Sequence, residues 1–362
     1  LHAWGRHAES EEVARRVIAR DSTYAKAWFI VALALQTQGR MLESLDAATR
    51  AASLAPDQPG YAGLRAQTEI GIGAPDKARR TLETALARHP MSTPLRFELA
   101  NLLQYRLSDP VASAAEYAHV LRVEPAHGAA LSQLTFLNGG LADWRGRDDL
   151  VARYRAGVAA GTPGLSPFAF LSLPSTRAEQ RKCAQNWAAD LAMIEPLPRR
   201  RVLSAGRLRI GYLSGDFHSH ATAFLAAGLF EQHDRANFEV FGYSTGPDDR
   251  TPMRARVVRA FDRFVDLRNR DPLAIADAIR GDTVDILVDL KGHTEGAMPI
   301  VLARHPAPIQ VHYLGYPGTV AAGLVDYLIG DPFVTPPEHF DDYAEAIALL
   351  PDSYQVNDRV RP

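Results

Sequence analysis

The sequence predicts two successive folds: an α-superhelix of stacked helical hairpins, then an α/β lobe built on a parallel sheet. Three observations point there. The first half aligns with itself at an offset of 34 residues, the helical 3.6-residue periodicity stops at Leu208, and short β-rich runs then alternate with helical stretches. A chain of 362 residues is long enough for two cores. These features divide it into a repeat array over 1–137, a helical linker over 138–207 and a sheet-based lobe over 208–362.

In the array, the offset aligns Gly39 with Gly73, Ser44 with Ala78 and Ala112, and Pro56 with Pro90. That period is the one of tetratricopeptide repeats. A small residue early in each second helix allows close packing on the first, and the proline after it ends that helix. Trp28, Leu35, Leu45, Leu54, Leu82, Leu86, Leu99, Leu102, Val120 and Leu121 supply the apolar stripes. A weaker unit runs from Trp4 to Ile18, and Ala126 to Leu137 reads as a further half. Stacked hairpins form a curved superhelix whose inner face takes an extended peptide or protein. Asn101 is a candidate contact to such a peptide; it reads equally as a solvated helix residue, since the aligned positions are Leu33 and Gln67.

The linker carries helical text around Trp144 and Trp187, broken by prolines at Pro163 to Pro174 and Pro196 to Pro198. In the lobe, strands are predicted at 208–215, 238–245, 263–267, 284–290, 309–316, 325–330 and 346–351, with helices at 221–233, 251–261, 271–281 and 298–305. Such alternation implies a parallel sheet covered on both faces, with ligands collecting at the carboxyl ends of its strands.

The chemistry-bearing residues fall at those ends. Asp216, His218 and His220 follow the first strand, where an imidazole with a carboxylate to orient it is a workable proton acceptor near neutrality. A polar turn without chemistry and a zinc site built from two histidines with Asp216 or His293 are the alternatives. The loop Lys291-Gly292-His293-Thr294-Glu295-Gly296 follows the fourth strand, and Gly315, Pro317, Gly318 and Thr319 end the next, where exposed amides could hold a phosphate or sugar hydroxyl. No GxGxxG or P-loop pattern stands at a suitable strand end, which disfavours a dinucleotide enzyme or a nucleotide triphosphatase.

Composition narrows the partners. The 40 basic and 42 acidic residues nearly cancel, so no nucleic acid is expected, and no run approaches the roughly 18 apolar residues needed to cross a bilayer. The single cysteine, Cys183, and the lack of a signal pattern after Leu1 make the cytoplasm the expected location.

With these residues assembled, the chain resembles the O-linked N-acetylglucosaminyltransferases over nearly its whole length. The resemblance is carried by LRIGYLSGDFHSHAT, FEVFGYSTGPDD, VDILVDLKGHTEGA, RHPAPIQVHYLGYPGT and VDYLIGDPFVTPPE, fused to a 34-residue repeat array. It implies a Rossmann-like lobe forming the first half of a GT-B fold. It also implies inverting transfer of N-acetylglucosamine from UDP-GlcNAc, bound in an interlobe cleft, to Ser and Thr hydroxyls of proteins recruited by the repeats. No cofactor and no metal are expected.

Asp216 and His220 match the family's DFxxH motif and Thr222 its following Thr, while His218 stands where the animal enzymes usually have Gly. Thr294 and Gly296 match the GYTKG loop, with Glu295 in place of Lys and His293 in place of Tyr. Gly315, Tyr316, Pro317 and Gly318 keep the LGYPGT motif, expected on the acceptor and sugar side. The family's second lobe, with most of the nucleotide contacts, is not within this sequence, so these residues alone are expected to bind the donor poorly. A tetratricopeptide scaffold with a non-catalytic α/β lobe and a zinc-dependent hydrolase are the competing functions.

Overall fold

The structure, a computed structural model, describes residues 7–200, 206–321 and 323–360. The start of the first predicted repeat, at Trp4, lies outside the described residues. The chain divides into two compact units, Leu1–Ala152 and Arg153–Pro362, so the 138–207 segment contributes to both.

The first unit is a run of antiparallel helices: α1 (His7–Arg20), α2 (Ala25–Thr37), α3 (Met41–Leu54), α4 (Pro59–Gly71), α5 (Pro75–Arg88), α6 (Thr93–Tyr105), α7 (Pro110–Val123) and α8 (Gly128–Gly140), followed by α9 (Arg147–Ala160), which the boundary crosses. Small side chains set the spacing within each hairpin. Ser44, fully buried on α3, donates from Oγ to the Ala32 carbonyl of α2 at 2.8 Å. On α5 the equivalent buried residue is Ala78.

In the third repeat the structure corrects the sequence alignment. The residue in that position is Ser113, whose Oγ donates to the Ala100 carbonyl at 2.8 Å, and Ala112 is only half-buried. The cause is the turn before α7. Three residues join α2 to α3 and α4 to α5, with Gly39 (φ 75°) and Gly73 (φ 76°) in the left-handed region; four join α6 to α7, and Ser108 (φ 53°) takes that conformation. The inner helices keep the strict period, with Ala32, Ala66 and Ala100 all buried. The stripe of α3 also differs: Ser44, Ala47, Ala48 and Ala51 are its buried face, and Leu45 and Leu54 sit at its margin.

The second unit opens with α10 (Pro167–Phe170) and α11 (Arg177–Ala188), then the sheet strands β1 (Leu208–Ser214), β2 (Phe238–Ser244), β3 (Arg263–Asp266), β4 (Ile286–Asp289), β5 (Ile309–His312), β6 (Tyr327–Gly330) and β7 (Ala346–Leu349). Between them lie α12 (Ala221–Glu231), α13 (Pro252–Arg259), α14 (Pro272–Gly281) and α15 (Pro299–Ala303). The strands form one sheet in the order β3-β2-β1-β4-β5-β6-β7, every pairing parallel.

Alternation along β1 shows why both faces are covered. Ile210 and Tyr212 pack with Ala223, Ala226 and Phe230 of α12 and Val257 of α13, while Leu213 joins Ile275 and Ile279 of α14 and Val301 of α15 on the other face. Leu171, Ala188, Leu191 and Ile194, from the segment ahead of the sheet, cover part of that second face. The strand order reverses between β1 and β4, and this is where an open α/β sheet offers a crevice outside its carboxyl ends. No helix among the described residues is long and apolar enough to cross a membrane.

Candidate active site

Three loops meet at that crevice: 215–220 after β1, 290–298 after β4 and 313–320 after β5. Their sequences are held there by pairings far apart in the chain. Lys291 Nζ donates to both oxygens of Asp216 at 2.7 and 2.8 Å, and both side chains are nine-tenths buried. This ion pair ties the β1 loop to the β4 loop across the reversal point. Asp216 also accepts from Thr222 Oγ1 at 3.3 Å, and its own amide is held by Ser214 Oγ at 2.9 Å. A carboxylate so occupied is a structural anchor, not a free base.

His220 caps α12. Its Nδ1 accepts from the Thr222 amide at 3.2 Å, which places the ring proton on Nε2, and Asp216 Oδ2 lies 3.5 Å from Nδ1. Burial pulls its pKa down; Asp216 opposes this and Lys291 reinforces it, leaving His220 below the ordinary imidazole value and neutral at pH 7. The side chain is 42% exposed, so part of the ring is open to solvent. His218, 5.5 Å away ring to ring, is steered by the β2 loop: its Nδ1 is 4.0 Å from Asp249 Oδ2, which also accepts from the Ser219 amide at 2.8 Å.

A second buried pair organises the other two loops. His312 Nδ1 donates to Asp289 Oδ2 at 3.0 Å and its Nε2 donates to the Tyr316 carbonyl at 2.8 Å. Both partners are acceptors, so both nitrogens carry protons and the ring is an imidazolium. Burial alone would lower its pKa, but the Asp289 bond and charge outweigh that and raise it. Asp289 further accepts from the Lys291 and Gly292 amides at 3.2 and 2.7 Å, fixing the start of the β4 loop.

These loops approach so closely that side chains are excluded at two points. Gly292 has φ +57°, and a Cβ there would lie 2.6 Å from Tyr316 Cβ and 2.7 Å from His312 Cε1. A Cβ on Gly315 would lie 2.0 Å from the Leu290 carbonyl oxygen. The residues 313–316, predicted as strand, therefore leave the sheet after His312: Leu314 takes φ 71° and the Gly315 amide turns back to the Tyr313 carbonyl at 2.9 Å. Glu345, buried just before β7, holds the far end of that loop by accepting from Thr319 Oγ1 at 2.7 Å and the Val320 amide at 2.9 Å; burial raises its pKa.

His293 lies inside. Its ring is 7% exposed, set edgewise between Trp187 (4.7 Å) and Tyr316 (5.0 Å), and neither nitrogen has a hydrogen-bond partner among the described residues. Burial, then the nearby His312 cation, push its pKa down to about 3.

Of the residues singled out in the sequence, Asp216, His218, His220 and Thr222 are thus gathered at one point. His293 and Tyr316 are buried behind it. Thr294 closes the β4 turn by donating to the Lys291 carbonyl at 2.8 Å, Glu295, Gly296 and Pro317 are exposed, and Gly315 and Gly318 are half-buried. Asn101 belongs to the first unit, where its Oδ1 accepts from Tyr117 Oη at 2.6 Å. Among the described residues no three His, Cys, Asp or Glu side chains are grouped to hold a metal.

Lys291, Asp289 and His312 organise the site without having stood out as site residues in the sequence. Lys291 opens the KGHTEG loop directly after a strand end, a usable signal; His312, inside an apolar strand, carries none.

The model of glycosyl transferase family 41 matches residues 194–361, which contain every one of these loops. The chain is thus similar to glycosyl transferase family 41 across the sheet-bearing part of its second unit. A probable UDP-N-acetylglucosamine–peptide N-acetylglucosaminyltransferase, SEC, of Arabidopsis thaliana is 36% identical over 208 residues, 54% of this chain and 21% of that protein. The Caenorhabditis elegans UDP-N-acetylglucosamine–peptide N-acetylglucosaminyltransferase is 36% identical over 165 residues, 45% of this chain and 14% of that one. A solved mutant of the Thermobaculum terrenum O-GlcNAc transferase is similar over 93% of this chain and 59% of its own, at 26% identity and a TM-score of 0.58. The chain therefore spans about a fifth or less of the length of these curated relatives. In the matched region the sequence motifs fall on the Asp216–Lys291 pair and the loops it joins.

Proposed function

We propose that the protein carrying this chain transfers N-acetylglucosamine from UDP-GlcNAc to Ser and Thr hydroxyls of protein substrates, with inversion at the anomeric carbon. The observation that carries this reading is the family 41 match falling on the strand-end loop at the sheet's reversal point that carries His218 and His220. The sheet would be the first lobe of a GT-B pair, with the helical repeats recruiting the protein substrate.

In such a displacement the acceptor hydroxyl attacks as UDP departs, and the chain must position the nucleophile, accept its proton and stabilise the leaving charge. The two histidines suit different parts of this. His220, with its proton on Nε2, donates a hydrogen bond to an oxygen of the sugar or the departing diphosphate. Asp249 beside His218 Nδ1 favours the proton on that nitrogen and leaves Nε2 free to accept one from the hydroxyl. Asp216 and Lys291 hold the loop that presents both.

The test is transfer of radiolabelled sugar from UDP-GlcNAc to an acceptor protein, with release of the label by alkaline β-elimination and the anomeric configuration read by NMR. The expected product is β-linked to Ser or Thr. His218→Ala and His220→Ala, each made alone, should reduce turnover by roughly 100-fold or more. Near-normal turnover in both would refute the assigned roles, and label that resists elimination would refute the acceptor.

A further inference from the structure

Away from the α/β unit, α3 and α5 wall a cleft of about 600 Å³ in the repeat array, floored by α4. Four cations line it, Arg65, Lys77, Arg80 and Arg88, and no carboxylate does. Arg65 is partly neutralised from below by Glu69, which its Nε reaches at 2.9 Å. Lys77, Arg80 and Arg88 are exposed and make no ion pair among the described residues. The neighbouring Arg79, which does not line the cleft, is paired with Glu83 at 2.7 Å.

The placement of these charges follows the helical period. Positions 77, 80, 84 and 88 recur on one face of α5, so Lys77, Arg80, Thr84 and Arg88 form a stripe about 16 Å long at the α-helical rise. Thr81 and Thr84 put hydroxyls between the cations. Three uncompensated charges of one sign along a concave wall focus a positive potential, in a chain whose overall charge is only −2. Stability gives no reason for such a stripe, because like charges three or four apart on a helix repel.

We propose that this cleft is a docking site for an extended acidic peptide segment of a partner protein. A stretch of about 16 Å accommodates about five extended residues at roughly 3.3 Å each, enough for two or three Asp or Glu side chains to meet the three cations. Small residues of α3, Ala52 and Ser53 among them, leave the opposite wall open to a peptide backbone. The site is independent of glycosyl transfer and would hold whether or not the reaction proposed above is correct.

The experiment is fluorescence anisotropy of the full chain with a labelled peptide rich in Glu and Asp, in about 50 mM and then about 300 mM salt, conditions that change the screening of exposed charges. The perturbing variant is K77E/R80E/R88E, with K77Q/R80Q/R88Q as a milder form and R16E/R50E/R106E as a control of equal charge change on exposed positions outside the cleft. Each exposed ion pair is worth roughly 1.5- to 5-fold in affinity, so removal of three should weaken binding by about 3- to 100-fold. The proposal expects that loss in both cleft variants, a near-wild-type control, weaker binding at the higher salt, and unchanged helical circular dichroism throughout. It is overturned if the wild-type chain does not bind the peptide at low salt, or if the control loses as much as the cleft variants. Tighter binding of a single-stranded oligonucleotide of equal charge through the same three residues would also overturn it.

Discussion

Replacing Lys291 by Met removes the cation that holds Asp216 and leaves a buried carboxylate without its counter-charge. At 2.7 Å with the screening typical of proteins, the attraction is about 6 kcal/mol before desolvation is subtracted. Methionine fills most of the lysine volume, so the main loss is electrostatic: Asp216 stays nine-tenths buried with one Thr222 hydroxyl bond of 3.3 Å. Breaking a buried pair from one side costs about 3–5 kcal/mol. Urea unfolding of K291M should show a loss in that range for the α/β unit, and D216N/K291M should recover part of it because the orphaned charge is gone. The same change reaches His220. With Lys291 absent, the Asp216 anion beside it is no longer opposed by that cation, so its pKa should rise from below the ordinary imidazole value, as followed through its Cε1–H signal by NMR. A loss under about 1 kcal/mol, a double variant no more stable than the single, or an unmoved His220 midpoint would refute the reasoning.

Three further expectations rest on the neighbouring loops. His293 titrates at about 3 in the folded unit and near 6.5 when unfolded, so the unfolded state alone takes up a proton between those values and stability falls as pH drops through that window. At pH 5 this costs about 2 kcal/mol, and His293→Phe should flatten that acid limb in urea titrations run at several pH values. His312 has the opposite sign: its pKa is raised, so its contribution is complete below 6.5 and lost as pH rises through the folded value. His312→Gln, which leaves Asp289 unpaired, should therefore be destabilised by about 3–5 kcal/mol at pH 6 and by less at alkaline pH. Gly292→Ala combines a strained φ with a Cβ 2.6 Å from Tyr316 Cβ; it should cost more than about 1 kcal/mol in thermal unfolding, beyond any gain from reduced unfolded-state entropy.

Much of this molecule is legible from local pattern alone. The 34-residue offset, the helical stripes of the array and the strand and helix alternation after Leu208 depend on neighbours within one or two turns, and the structure places α2 to α8 and β1 to β7 accordingly. The DFHSH and KGHTEG segments are likewise legible as loops at strand ends, because an apolar run followed by polar and glycine residues has few other readings. The one-residue slip that puts Ser113 in the position expected for Ala112 is not: no glycine marks the longer turn, and Ser108 supplies its left-handed conformation.

What the tertiary structure alone decided is which loop side chains face each other. Asp216 and Lys291 are 75 residues apart and Asp289 and His312 are 23 apart, and they meet because the sheet sets β4 between β1 and β5. Strand order is a choice among packings of similar local sequence, so no window along the chain encodes it. Burial follows from the same choice: His218 and His293 look alike in sequence, yet one stands at the rim with a carboxylate 4.0 Å away and the other is closed between two aromatic rings. Residue type fixes what a side chain can do; the dielectric and the partners it meets, set only when distant strands come together, fix which of those things it does.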